Sequence, residues 1–83
     1  ALVVGSLLFS NCKIDERSRI EQAVVLPDVH IGKGCIVRRA IIDENCEIPD
    51  GMQIGVDLVR DRERFLVTEK GVVLVTADML RAA

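Results

Sequence analysis

The side chains with the chemistry to bind or react are few. One histidine, His30, and three cysteines, Cys12, Cys35 and Cys46, are scattered through 83 positions without a CxxC spacing. A tetrahedral metal site draws three or four such ligands from short intervals, so neither a zinc site nor a disulfide framework is suggested, and the cysteines read as reduced thiols. A lone histidine can still serve as a general base. The remaining candidates are cationic: Lys33, the adjacent Arg38 and Arg39, and Arg81 near the carboxyl end. A planar guanidinium grips two phosphate oxygens at once, so an anionic ligand would be held through groups of this kind.

Composition narrows the partners. The chain has 11 basic and 13 acidic residues, a net charge of −2, and its only aromatics are Phe9 and Phe65. No Lys/Arg run is interleaved with aromatics, which argues against nucleic acid. No apolar stretch approaches the ~18 residues of a membrane span, and the start lacks the charged and apolar regions of a signal peptide; the chain reads as soluble and cytoplasmic. A chain of 83 residues allows one small domain, near the size where a single core is marginal. With no initiator Met at Ala1, it reads as part of a longer protein.

The elements that must position these groups show as a repeat. Written in lines of 17, the sequence aligns Val3, Ile20, Val37 and Ile54 in one column, Leu8, Val25 and Ile42 in a second, and Ile14, Ile31 and Ile48 in a third. The columns lie five or six residues apart, and strand-forming Val, Ile and Leu fill them. Smaller residues share the register: Ser6, Ala23 and Ala40; Cys12, Val29 and Cys46; Ser18, Cys35 and Met52. Short strands alternate faces, so each aliphatic column becomes the inside of a wall and three walls close one coil. Gly32, Lys33 and Gly34, then Pro49, Asp50 and Gly51, supply corner residues. Val3 to Gly55 is thus expected to be a parallel β-helix whose coils stack at ~4.8 Å, each stable only against its neighbours.

That register locates the candidates. His30 shares a column with Lys13 and Glu47, which favours an outward, solvent-facing ring over a base. Arg38 and Arg39, adjacent on one wall, should point to opposite faces with at least one near a corner, and simple surface charge competes as the reading of both. Lys33, at a corner, reads as solvent-exposed. Cys12 and Cys46 lie two coils apart, about 9–10 Å by strand spacing, too far for a disulfide; they read as small core residues.

After Gly55 the pattern stops. Residues 57–64 alternate charge densely and are expected as an exposed turn or short helix. Phe65 to Val67 and Val72 to Val75 read as two strands joined through Glu69, Lys70 and Gly71, with Gly71 in the left-handed position of the hairpin loop. Thr76 is an N-cap for a short helix with Met79 and Leu80 on its apolar side. Residues 1–56 form the solenoid in this reading, and 57–83 a segment capping its lower edge.

The aliphatic six-residue pattern resembles the hexapeptide-repeat, left-handed β-helix proteins, many of them sugar-nucleotide transferases or acyltransferases. The run from Val25 to Cys35, then Arg38 to Asp43, then Ile48 to Gly55, is more specific. Together with Arg64-Phe65, the strand Gly71 to Thr76 and Met79-Leu80-Arg81, it resembles the carboxyl-terminal region of bacterial glucose-1-phosphate adenylyltransferases. The resemblance implies an all-β fold of about three left-handed coils with a terminal hairpin and helix. It implies a parent enzyme that makes ADP-glucose and pyrophosphate from ATP and glucose 1-phosphate, with Mg²⁺, for glycogen synthesis. The catalytic residues and the Mg²⁺ would belong to an amino-terminal nucleotidyltransferase domain outside this chain, leaving the chain itself inactive and without a cofactor.

In that family the β-helix helps assemble a homotetramer and form the site for sugar-phosphate and nucleotide effectors. Arg81 matches an effector-contacting position; its competing reading is a solvated charge completing the helix dipole. Arg38, Arg39 and Lys33 are the secondary candidates. The sequence departs from the enteric pattern at Glu44 and Ala77, where that type carries effector-binding arginines, which points to a different sugar phosphate. Two other readings stand beside this one: a fragment of a hexapeptide acyltransferase with His30 as base, and an oligomerisation module with no ligand.

Overall fold

The computed structural model describes residues 1–82. Its strands are only two or three residues long, because the chain turns a corner every five or six residues. Strands β1 (Leu2–Val4), β4 (Arg19–Glu21), β7 (Ile36–Arg38) and β10 (Gln53–Ile54) stack as one parallel wall. A second wall holds β3 (Lys13–Ile14), β6 (His30–Ile31) and β9 (Glu47–Ile48). The third begins with β2 (Leu7–Leu8), β5 (Val24–Val25) and β8 (Ala40–Ile42). Partners are 17 residues apart at each of these steps, as Ile14 beside Ile31 beside Ile48 shows. The result is a left-handed parallel β-helix of about three coils, the fold that the repeat and the resemblance imply.

The columns are the core. Ile20, Val25, Ile31, Val37, Ile42, Ile48 and Ile54 are at most 1% exposed. Each such side chain stabilises the fold by about 1.5–3 kcal/mol relative to leaving it in water. Cys35 and Cys46 are buried among them, and all three cysteines are free thiols.

Backbone geometry at the corners is as regular as the columns. Gly5, Gln22 and Arg39 at the first corner, Asn11, Asp28 and Asn45 at the second, and Arg17, Gly34 and Gly51 at the third have φ between 45° and 76°. In this left-handed conformation the amide points back along the solenoid axis. Gln22, Asp28, Gly34, Arg39, Asn45 and Gly51 each donate to the carbonyl 18 residues earlier, at 2.8–3.2 Å. Glycine enters this region freely, and Asn or Asp can bond locally there; Arg17, Gln22 and Arg39 have neither advantage and each costs about 1–2 kcal/mol. The placement of Arg39 corrects the expectation that it and Arg38 sit on opposite faces of one wall. Arg38 ends β7, Arg39 turns the corner, and both are exposed.

The tail departs from the repeat. Helix α1 (Leu58–Arg64) starts at Asp57, whose carboxylate accepts the Arg60 amide at 3.3 Å. Uniform exposure of this charged run is not what the structure shows: Asp61 is only 1% exposed. Its carboxylate accepts from the Gly55 amide and from Arg64 Nη2, both at 2.8 Å, and so latches α1 to the end of the last coil. Strand β12 (Val73–Val75) then pairs parallel with β8, and β11 (Leu66–Val67) pairs antiparallel with β12, making the third wall five strands high. One repeat beyond Ile42 is Val59, but Val75 takes the place beside Ile42, and Val59 lies on α1, 68% exposed. Gly71 has the left-handed φ expected in the hairpin, and Thr76 Oγ1 caps helix α2 (Ala77–Ala82) by accepting the Met79 amide at 3.2 Å.

Candidate functional site

A concavity of about 760 Å³ runs between the β9 wall and the two helices. The solenoid contributes Glu47 and Ile48 from β9 and Asp50 and Met52 from the following corner. Helix α1 contributes Arg60 and Arg64, and α2 contributes Ala77, Leu80 and Arg81. Arg60 and Arg64 fall on one side of α1 because residues four apart share a helix face. Both also line an adjoining depression of about 450 Å³ with Asp50, Gln53 and Asp57.

The three guanidiniums differ in freedom. Arg64 is held by Asp61, by the Gln53 carbonyl at 3.1 Å and by the ring of Phe65, whose centroid lies 4.8 Å from its Cζ. Arg81 pairs with Asp78, one turn earlier, at the solvent boundary. Arg60 has no side-chain hydrogen bond or ion pair among the described residues. Two lining carboxylates balance this charge in part. Asp50 is engaged through its Oδ1, which accepts the Lys33 amide at 2.8 Å. The groove can therefore hold an anion of modest size through Arg60 and Arg81, with Arg64 as a fixed positive wall.

His30 stands on the groove's edge, on the outer face of β6 as its column predicts, and its ring joins three coils. Nε2 lies 2.9 Å from Asp15 Oδ2 and Nδ1 lies 3.7 Å from Glu47 Oε1. The hydrogen bond to His30 holds Asp15 below the usual carboxylate range, with desolvation opposing and the charges of His30, Lys13 and Lys33 assisting. In the interior, burial and then the Asp43 charge push the Cys46 thiol up to about 11, so it stays neutral and inert.

The four cationic candidates are not gathered in one place. Arg81 lines the main groove; Arg38 and Arg39 line a separate depression of about 290 Å³ with Glu21, Gln22 and Gly55. Arg38 is paired with Glu21 at 3.1 Å, Arg39 donates to the Lys70 carbonyl at 2.7 Å, and Lys33 lies at 4.0 Å from Glu16 on another corner. Of the two departures from the enteric pattern, Ala77 faces the main groove and Glu44 is an exposed residue outside its lining. Sequence reading missed Arg60 and Arg64. Their spacing of four in a run beginning at a capping Asp57 was the available signal.

Against known families, residues 1–75 match the family described as GlmU-like, C-terminal hexapeptide. The chain belongs to that GlmU-like hexapeptide family. Among curated relatives, this hexapeptide chain is 58% identical over 81 residues to a glucose-1-phosphate adenylyltransferase of Pasteurella multocida, covering 98% of the chain and 18% of the relative. It is 56% identical over 80 residues to that of Mannheimia succiniciproducens, covering 96% of the chain and 18% of the relative. It is 51% identical over 82 residues to that of Haemophilus influenzae, covering 98% and 19%. The chain therefore spans about a fifth of the length of the curated relatives it matches. No helix among the described residues is long and apolar enough to cross a membrane.

Proposed function

We propose that this chain is the regulatory and oligomerisation module of a cytoplasmic enzyme that makes ADP-glucose and pyrophosphate from ATP and glucose 1-phosphate for glycogen synthesis. The observation that carries the reading is the 58% identity to such an adenylyltransferase along 98% of the chain, tail included. ATP, Mg²⁺ and the chemistry fall to an amino-terminal nucleotidyltransferase domain, and the module alone is inactive. Its part is to join subunits, four in the parent, and to carry an effector.

The groove between β9 and the helices supports the effector role. It sets Arg60 and Arg81 beside the fixed Arg64, a donor set suited to a sugar phosphate. Arg38, Arg39 and Lys33 lie elsewhere and are at most secondary contacts. The test is ADP-glucose formation by the full-length protein, with calorimetric titration of sugar phosphates before and after Arg81→Ala and Arg60→Ala. Synthesis that is stimulated or inhibited by a sugar phosphate, with at least about tenfold weaker binding in either variant, is expected. Absence of ADP-glucose synthesis overturns the reading; unchanged affinity in both variants removes the groove and leaves a bare oligomerisation module.

One observation favours a second reading. The Asp15 carboxylate orients the His30 ring, as it would a general base in acyl transfer. Acyl transfer by the full-length protein that His30→Ala abolishes would replace the first reading with this one.

A further inference from the structure

The three walls present different outer faces. Outward positions on the β3–β6–β9 wall are Lys13, His30 and Glu47, and those on the β1–β4–β7–β10 wall intersperse Leu2, Val4 and Ile36 with Arg19, Glu21, Arg38 and Gln53. The five-stranded wall instead carries Leu7, Val24, Ile41, Leu74 and Leu66 side by side, one per strand. Their neighbours in the strands are the buried ones: in β8, Ala40 and Ile42 face inward while Ile41 faces out. Leu7 is 62% exposed, Ile41 38% and Leu66 54%, and Phe9, next outward position along from Leu7, is 49% exposed. By the usual strand spacing this aliphatic ladder is about 19 Å long. Scattered apolar residues are ordinary on a surface; a continuous row on one wall of three marks a contact.

We infer that this wall is the face through which a second copy of the chain docks. The edges of the ladder favour a copy of itself. The corner that feeds the wall carries Arg39, its guanidinium on the Lys70 carbonyl, with Lys70 and Glu69 in the adjacent hairpin. The corner that leaves the wall carries Asp28, Asp43 and Glu44. A two-fold axis parallel to the solenoid would lay wall on wall with strands antiparallel and layers level. Each ladder residue then meets its own counterpart, Ile41 near the axis, and the Arg39 edge of one copy lies along the Asp43 edge of the other. An axis parallel to the strands would oppose like edges. Self-complementarity under one rotation is what a closed dimer interface requires.

The face is modest, since the module measures 27 × 24 × 20 Å. It lies below the roughly 800 Å² per partner of a standard interface, so it acts as one contact within a larger assembly.

The inference rests on the oligomerisation reading above, and its test separates the two. In full-length protein, Ile41→Cys should give an intersubunit disulfide under mild oxidation that the wild type does not form. Ile41→Asp should weaken assembly, followed by sedimentation velocity, by about tenfold or more with an unchanged circular dichroism spectrum. Arg39→Asp and Asp43→Arg should each weaken it by about fivefold, and the double exchange should recover most of the loss. A full-length protein that is monomeric overturns both readings. Undiminished assembly of Ile41→Asp without the Ile41→Cys cross-link overturns this surface alone. So does an Ile41→Cys thiol shielded from alkylation within a single subunit, which would assign the wall to another part of the same polypeptide.

Discussion

The two ends of the solenoid share one repeat and differ in what covers them. In the first coil Val3 is 40% exposed and Leu8 41%, whereas their column partners Val37 and Ile42, two coils on, are fully buried. The register is the same and all four side chains are aliphatic. A short coil has no interior of its own: its apolar side chains leave water only when a layer lies on each side. At the other end that layer is β12 with α1 and α2, and Asp61 ties α1 to the last coil through the Gly55 amide.

The contrast between the ends breaks most severely at that tie. Asp61→Ala leaves Arg64, largely buried, without its carboxylate and should cost about 3–5 kcal/mol by urea unfolding. A loss under about 1 kcal/mol would mean that the helices hold the end without it. The column comes next. Ile42→Ala should cost about 2–5 kcal/mol and Leu8→Ala, at the open end of the same column, less than about 1. Equal losses would show that the first coil is as well covered as the third.

Smaller effects sharpen the comparison within single columns. Cys12 and Cys46 share a register position, but Cys12 is only partly buried and the Cys46 thiol is pushed up to about 11. Iodoacetamide at pH 8 should label Cys12 well before Cys46, and denaturant should equalise them; early labelling of Cys46 would mean that the closed end opens freely. The smallest effect joins first coil to second. A carboxyl depressed on folding stabilises above its unfolded pKa, and that stability is lost as pH falls through the folded pKa. The stability that this lowered Asp15 carboxyl contributes should therefore be lost as pH falls below about 4, and His30→Ala should bring the Asp15 titration, followed by NMR, back up toward the usual range. An unmoved titration would remove His30 as the cause.

What the sequence reveals of this fold follows from how local each cause is. The walls are legible because one aliphatic residue per side recurs every 17 positions. The corners are legible at Asn11, Asp28, Asn45, Gly34 and Gly51, types that accept a left-handed backbone, and illegible at Arg17, Gln22 and Arg39, which only the neighbouring layers force into it. Val59 continues a column in sequence and leaves it in space, because Asp57 caps a helix there and β12 fills the vacated layer. Asp61 sits in a charged run that reads as solvated; its burial depends on the free Gly55 amide. The groove was half visible. Arg81 is legible through its resemblance, while Arg60 and Arg64 join it only once β12 carries the tail back across the last coil.

The corner bonds also constrain how such a module can change length. Each left-handed corner residue from Gln22 to Gly51 donates to a carbonyl 18 places back, while the wall partners sit 17 apart, so two interlocking counts run through the same chain. Inserting or deleting one residue inside a coil would break both counts and turn a wall inside out. A whole coil can be gained or lost with both intact, so the module's natural unit of growth is a complete turn rather than a residue.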